Sequence, residues 1–221
     1  MLNKSLDFLK DIAVNNDRDW FAENREQYEE AREEFEHFVQ LVINRISLFD
    51  PSIMTVDPKE AIFRIYRDVR FSKNKLPYKQ HMGAYINAYG RKSPYCGYYV
   101  HLQPGNSFLG GGSISLPTVQ LNMIRNEIMH RIEEYRSIVE DPAFKRFFPV
   151  VGADFLKTAP RGFSKDYPYI DYLRCKEYIC SYPVNETFFS KPDCLDLMAE
   201  AYIQVQRFGD FINSALGDLN E

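Results

Sequence analysis

Seven cations fall in one short stretch, Lys59, Arg64, Arg67, Arg70, Lys73, Lys75 and Lys79, and only Glu60 and Asp68 oppose them there. The chain as a whole is acidic, with a formal charge of -4, so the excess is local. Guanidinium groups bind carboxylate or phosphate through a two-pronged fork, and ammonium groups act as point charges. Two readings are open. Arg64, Arg70, Lys73, Lys75 and Lys79 can line the mouth of an anion site, or the stretch can combine internal ion pairs with an exposed basic loop.

Other residues can add to such a site. His101 would share one strand face with Tyr99 and Gln103, and so can serve as a general base or as a hydrogen-bonding group for a ligand. The alternative is a packed histidine satisfied by a neighbour. His81, just beyond the basic loop, has the same two readings, whereas His37 and His130 sit on helical patterns. Gly110-Gly111-Gly112-Ser113 can offer backbone amides to an anion, but Ile114 to Pro117 separate it from the next helix start, which fits neither a P-loop nor a dinucleotide fingerprint. A closely packed strand is the other reading. Arg125, early in a helix, and Arg161, in a Pro-Arg-Gly turn, can each reach a pocket or form a structural pair.

The usual catalytic sets are missing from the pattern. Asp68 lies among arginines and reads as an ion-pair partner, and Asp166 and Asp171 have no nameable partner. No serine or cysteine stands in a nucleophile elbow. Cys96, Cys175, Cys180 and Cys194 form no CxxC pair and have no histidine at ligand spacing, so no metal site is expected and reduced thiols are. No cofactor is expected either.

The elements that must position these groups follow from periodicity. A short helix is predicted over Ser5–Val14. A long helical pattern follows from Arg18 to Phe49, with Asn24 as an interruption and its glutamates on a solvated face. Ala61–Phe71 alternates like a strand, with Phe63, Ile65, Val69 and Phe71 on one side. Arg67 falls on that apolar side, so a carboxylate from elsewhere is expected to meet it. Ser72–Tyr78 reads as a loop. Tyr95–Gln103 and Phe108–Leu116 read as a hairpin around Pro104-Gly105-Asn106-Ser107. Thr118 is expected to cap a long helix closed by Asp141-Pro142, and the segment 144–163 has no clear assignment. Tyr169–Arg174 reads as helical, Tyr178–Tyr182 as a short strand, and residues 193–215 as a final helix. The sum is an α+β fold, an antiparallel sheet with flanking helices, in one domain over residues 1–221.

Taken in order, several segments resemble a known family. They are Asn16-Asp17-Arg18-Asp19-Trp20-Phe21, then Phe63 to Ser72, then Lys75-Leu76-Pro77-Tyr78-Lys79. Tyr98 to Pro104, Gly110-Gly111-Gly112, Ile124-Arg125 and Leu156 to Phe163 follow. This series resembles the bacterial and fungal conserved hypothetical proteins grouped as domain of unknown function family 2461, most strongly over residues 5–179. The resemblance implies a single domain filling nearly the whole chain and brings no reaction, cofactor or catalytic residue with it.

Hydrophobic residues at 45% and aromatics at 15% are enough for a packed core, which excludes a disordered chain. A pI near 5.7 argues against general adhesion to nucleic acid. No run is long enough to cross a membrane, and no secretory leader is apparent, so a cytoplasmic location is expected. Three functions stay open. One is binding of a small anionic ligand, phosphorylated or carboxylate, by Arg64, Arg67, Arg70, Lys75, Lys79, His101, Arg125 and Arg161. Another is an enzyme using the same pocket with His101 as acid/base. The last, ranked below them, is a nucleic-acid or protein-interaction module in which Lys73, Lys75 and Lys79 meet phosphates and Tyr78 stacks on a base. Oligomeric state is not readable.

Overall fold

Apolar residues at three- and four-residue steps build the helices that frame the sheet. A computed structural model describes residues 1–217. The helices are α1 (Asn3–Val14), α2 (Arg18–Glu23), α3 (Arg25–Ile46), α4 (Pro58–Ala61), α5 (Thr118–His130), α6 (Ile132–Val139), α7 (Pro142–Phe147), α8 (Ile170–Leu173) and α9 (Cys194–Leu216). Four antiparallel strands, β1 (Met82–Ile86), β2 (Gly97–Leu102), β3 (Ser107–Ser113) and β4 (Tyr178–Val184), pair in the order β1-β2-β3-β4. The fold is α+β, as the pattern predicts. Among the described residues no helix is long and apolar enough to cross a membrane.

The chain divides into two compact units. Unit 1 comprises Met1–Arg91, Tyr99–Leu109 and Pro183–Ala199; unit 2 comprises Lys92–Tyr98, Gly110–Tyr182 and the chain from Glu200.

In unit 1, α1 lies against α3. Ser5 is fully buried, and its hydroxyl has two acceptors within hydrogen-bond distance, the Ala31 carbonyl (2.9 Å) and the Glu34 carboxylate (2.8 Å). Glu34 also accepts from the Ser5 amide (2.8 Å), so a carboxylate on α3 satisfies an orphan donor in the first turn of α1, whose own N-cap side chain makes no capping bond. Asn24 breaks the long helical pattern as expected, between α2 and α3.

The segment after α4 departs from the strand expected over Ala61–Phe71. Ala61 ends a helix, and the rest pairs only at two isolated bridges, Ile62 with Ala84 and Tyr66 with Tyr78. Residues 65–67 and 77–79 form a small hairpin through Arg67 N to Pro77 O (2.9 Å) and Lys79 N to Ile65 O (2.8 Å). Of the side predicted to be apolar, only Ile65 is buried, and Phe71 is 95% exposed. With no neighbouring strand to cover them, alternating apolar residues have no core face to enter.

This hairpin is held from outside by the Asn16 side chain. Its amide donates to Tyr78 O (3.1 Å) and its carbonyl oxygen accepts from Tyr78 N (3.0 Å), which reproduces the pair of bonds a neighbouring strand would make. Asp17 caps α2 through the amides of Asp19 and Trp20, and so turns Phe21 onto the Tyr78 ring, stacked at 4.0 Å. Two of the segments that carry the family resemblance are therefore bonded to each other.

Unit 2 packs around Tyr135, Phe144, Phe148, Tyr178 and Phe208, all fully buried. The helix expected from Thr118 breaks at Arg131 into α5 and α6. There the guanidinium binds Glu127 (2.7 Å) and Glu134 (2.6 Å), and no glycine or proline marks the place. Thr118 is the first helical residue and does not cap; Pro117 holds the cap position without a side-chain bond. Asp141 both follows α6 and caps α7. The hairpin turn before β3 forms as expected, with Asn106 N on Gln103 O (3.0 Å).

Replacing Asn16 with alanine leaves both backbone groups of the buried Tyr78 without partners. The expected cost is about 1–3 kcal/mol in urea unfolding, with a larger loss of amide protection at Lys79 than in α5. Unchanged stability and unchanged exchange at Lys79 would contradict the clamp.

Candidate functional site

The hairpin delivers two of its cations to one face of the sheet in unit 1. On β2 the alternation sends Tyr99 and His101 to this face while Val100 and Leu102 are buried. His101 is itself only 8% exposed, stacked on Phe108 of β3 (4.5 Å, 14°) and beside the His81 ring (4.4 Å). Tyr99 Oη lies 3.1 Å from His101 Nδ1, and His101 Nε2 lies 3.0 Å from Gln103 Oε1. An amide oxygen only accepts, so the proton is on Nε2, and Tyr99 donates to Nδ1. Both nitrogens of His101 are thereby occupied. His81 has no hydrogen bond from any described residue to either ring nitrogen.

Burial holds both imidazoles neutral. His81 is pushed down to about 4, first by burial and then by the neighbouring His101 and Lys79. His101 is lowered by burial, against the opposing hydrogen bond to Gln103. The Tyr99 phenol is pushed up to about 12 by burial, so it remains a donor. Lys79, half-buried, is lowered by burial and then by the charges of Arg64 and Arg91. The Lys79 ammonium and the Arg91 guanidinium both lie over the Phe63 ring, at 5.3 and 5.4 Å. The ring faces both cations with its negative quadrupole, worth about 0.5–1 kcal/mol for each at an exposed site, which does not cancel a full charge. Among the described residues no carboxylate lies within ion-pair distance of Arg64, Lys79 or Arg91. The Asp68 carboxyl is held below the usual range first by its hydrogen bonds to Arg70 and in smaller part by the Arg64 charge.

The predicted site residues thus separate. Arg64, Lys79 and His101 come together, joined by His81. Arg91 joins them too, held by a hydrogen bond to the Ile62 carbonyl, although it lies 28 positions after Phe63 and its spacing gives no signal. Arg67 does not meet a carboxylate as expected. Half-buried at the hairpin, it donates to Leu76 O (3.1 Å) and more weakly to Ser72 Oγ (3.5 Å), so neutral loop oxygens satisfy it. Arg70 makes a bidentate pair with Asp68 (3.0 and 2.7 Å), and Lys75 donates to Val69 O (3.0 Å). Tyr78 is buried on Phe21 and has no face left for a base.

In unit 2, Arg125 is 4% exposed and its donors go to Leu173 O (2.8 Å), Cys175 O (2.8 Å) and Asn122 Oδ1 (3.0 Å), which is a structural role. Arg161 is exposed on its turn. The glycine run does not form an amide cradle. A Cβ on Gly110 would stand 2.5 Å from Cys180 O, and Gly112 has φ +122° with Ile179 Cα 2.7 Å from where a Cβ would be, so the glycines permit close strand packing. None of the four cysteines is in a disulfide, and among the described residues no group of three His, Cys, Asp or Glu side chains is placed to hold a metal ion.

The two imidazoles protonate near 6.5 in the unfolded chain but resist protonation in the fold, so between pH 6.5 and about 4 the unfolded state binds more protons. Stability therefore falls as pH drops through that window. Nitrogen-15 NMR should show His101 as the Nε2–H tautomer and His81 titrating near 4. In Gly83→Ala the new methyl would stand 2.6 Å from Tyr99 Oη, which displaces the phenol and alters the His101 Nδ1 signal. An unaltered signal, or a His81 that titrates near 6.5, would contradict this geometry.

No curated protein and no solved structure matches the chain significantly. A family described as "Conserved hypothetical protein (DUF2461)" matches residues 4–211, nearly the whole of the 221-residue chain and both of its units, so the chain belongs to that family.

Proposed function

We propose that unit 1 binds a small anionic ligand, a phosphorylated or carboxylate compound, on the face formed by Arg64, Lys79, Arg91, His81 and His101. One observation carries this reading. Three cations gather beside two neutral imidazoles with no carboxylate within ion-pair distance of them among the described residues, and the Lys79 ammonium is disfavoured first by burial and then by the other two charges. An anion relieves that repulsion and gains forked guanidinium contacts on a partly desolvated surface, where each is stronger than in water. His81, with both ring nitrogens open, offers one N–H donor while neutral and a second once it takes up a proton.

The same geometry bears on the enzyme alternative. His101 has both nitrogens engaged, so a proton-transfer role on this face falls to His81, which is neutral and unbonded. The nucleic-acid alternative loses Tyr78 as its stacking group.

The test is calorimetric titration with sulfate, which does not titrate near neutral pH, followed by a screen of phosphorylated metabolites, dicarboxylates and short oligonucleotides. Binding of an anion raises the His81 pKa and so takes up protons, and affinity increases as pH falls from 7 to 5. Lys79→Met should weaken binding by roughly tenfold or more, the loss of one charge-assisted contact, while Arg161→Ala leaves it unchanged. Equal affinity in wild type and Lys79→Met, or affinity independent of pH, would overturn the reading.

A further inference from the structure

Lys79 is placed unlike the other lysines of the chain. Lys4 and Lys176 bond the carboxylates of Glu30 and Asp154, each at 2.8 Å, and Lys75 donates to Val69 O (3.0 Å). Lys73 and Lys157 are exposed to solvent. Lys79 is half-buried over the Phe63 ring (5.3 Å), with Arg91 over the same ring (5.4 Å). Among the described residues its Nζ has neither a hydrogen bond nor a carboxylate partner. We propose that Lys79 is a nucleophile that forms a Schiff base with a small 2-oxo acid, with His81 carrying the protons. This inference rests on the anion-binding reading of the same face and names the ligand class.

Desolvation and a neighbouring cation are the two means by which proteins activate an amine. Both act here: burial first, then the charges of Arg64 and Arg91, favour the uncharged amine. The Phe63 ring opposes this by only about 0.5–1 kcal/mol. A 2-oxo acid matches the groups in order. Its carboxylate takes a forked guanidinium contact, and its carbonyl carbon, one bond away, is then held near the amine. The nitrogen lone pair attacks that carbon, the C=O π pair moves to oxygen, and one proton passes from nitrogen to that oxygen. The carbinolamine then gives up its second N–H proton, its hydroxyl leaves as water, and the C=N bond forms. The net change is amine plus carbonyl to imine plus water, which consumes no oxidant or reductant. His81 can take each proton from nitrogen and hand it to oxygen, because it is neutral, has both ring nitrogens unbonded and lies close enough to feel the Lys79 charge. His101, whose nitrogens are engaged by Tyr99 and Gln103, does not compete for that role.

The experiment incubates the full chain at neutral pH with pyruvate and sodium cyanoborohydride, which reduces an imine to a stable secondary amine. The reductant is in excess, so that imine formation sets the rate, and peptide mass spectrometry locates the modified lysines. Lys79 should react roughly tenfold faster or more than Lys73 and Lys157, the advantage of an amine held beside a bound carboxylate, and sulfate should protect it. Acetone, with a carbonyl but no carboxylate, should show no such preference. His81→Gln should slow the reaction at Lys79 by roughly tenfold or more. Lys79 reacting no faster than Lys73, an equal preference with acetone, or an unchanged rate in His81→Gln would each overturn the proposal. Calorimetry with sulfate separates the two readings: sulfate binding without preferential reaction at Lys79 overturns the Schiff base alone, whereas neither binding nor preference overturns both.

Discussion

One asparagine side chain supports the chemistry of unit 1. Asn16 bonds both backbone groups of Tyr78, and Phe21 stacks on the Tyr78 ring from the other side. A nine-residue loop, from Asp68 to Leu76, with three cations and few apolar anchors, would otherwise order itself only at a large entropic cost. With Tyr78 fixed, the next residue, Lys79, has no freedom to leave the sheet face, and its ammonium comes to rest over Phe63 beside Arg91. The clamp is therefore a local feature with an electrostatic consequence: it keeps like charges near each other.

That consequence decides between a structural and a binding role for each cation. Where a partner exists, the fold uses the charge. Arg70 takes Asp68, Lys75 takes a loop carbonyl, and Arg125 ties α5 to the chain around Leu173 and Cys175. Arg64, Lys79 and Arg91 have no carboxylate within ion-pair distance among the described residues, although Arg91 also donates to the Ile62 carbonyl, and they occur together with two imidazoles that burial keeps uncharged. Protein surfaces tolerate solvated cations readily, but a half-buried ammonium facing two guanidinium groups is unfavourable in the free protein, and relief of that repulsion is available to any anion that fits.

The helices were legible because three- and four-residue steps survive in α1, α3 and α9, and because Asp17, Asp141 and Asn24 act locally. The β2–β3 hairpin was legible from its turn residues. The strand expected over Ala61–Phe71 was not formed, since alternation reports a half-buried surface only when another strand lies alongside. The break at Arg131, where one guanidinium binds Glu127 and Glu134 at once, carries no glycine or proline to mark it in the sequence. In the site, His101, Arg64 and Lys79 were visible by type and spacing. Arg91 was not, because a turn and a strand separate it from the cations it joins. Arg125 misled for the converse reason: a buried arginine bound to carbonyls looks, in sequence, like one that reaches a ligand.

The central claim is that an anion belongs on this face. The most direct measurement is a crystal structure with selenate, located by its anomalous signal. The account predicts a selenate within hydrogen-bonding distance of Lys79 Nζ, with a guanidinium of Arg64 or Arg91 and a ring nitrogen of His81 as further partners. Selenate found only elsewhere, with Lys79 and His81 turned away from the shared face, would contradict it.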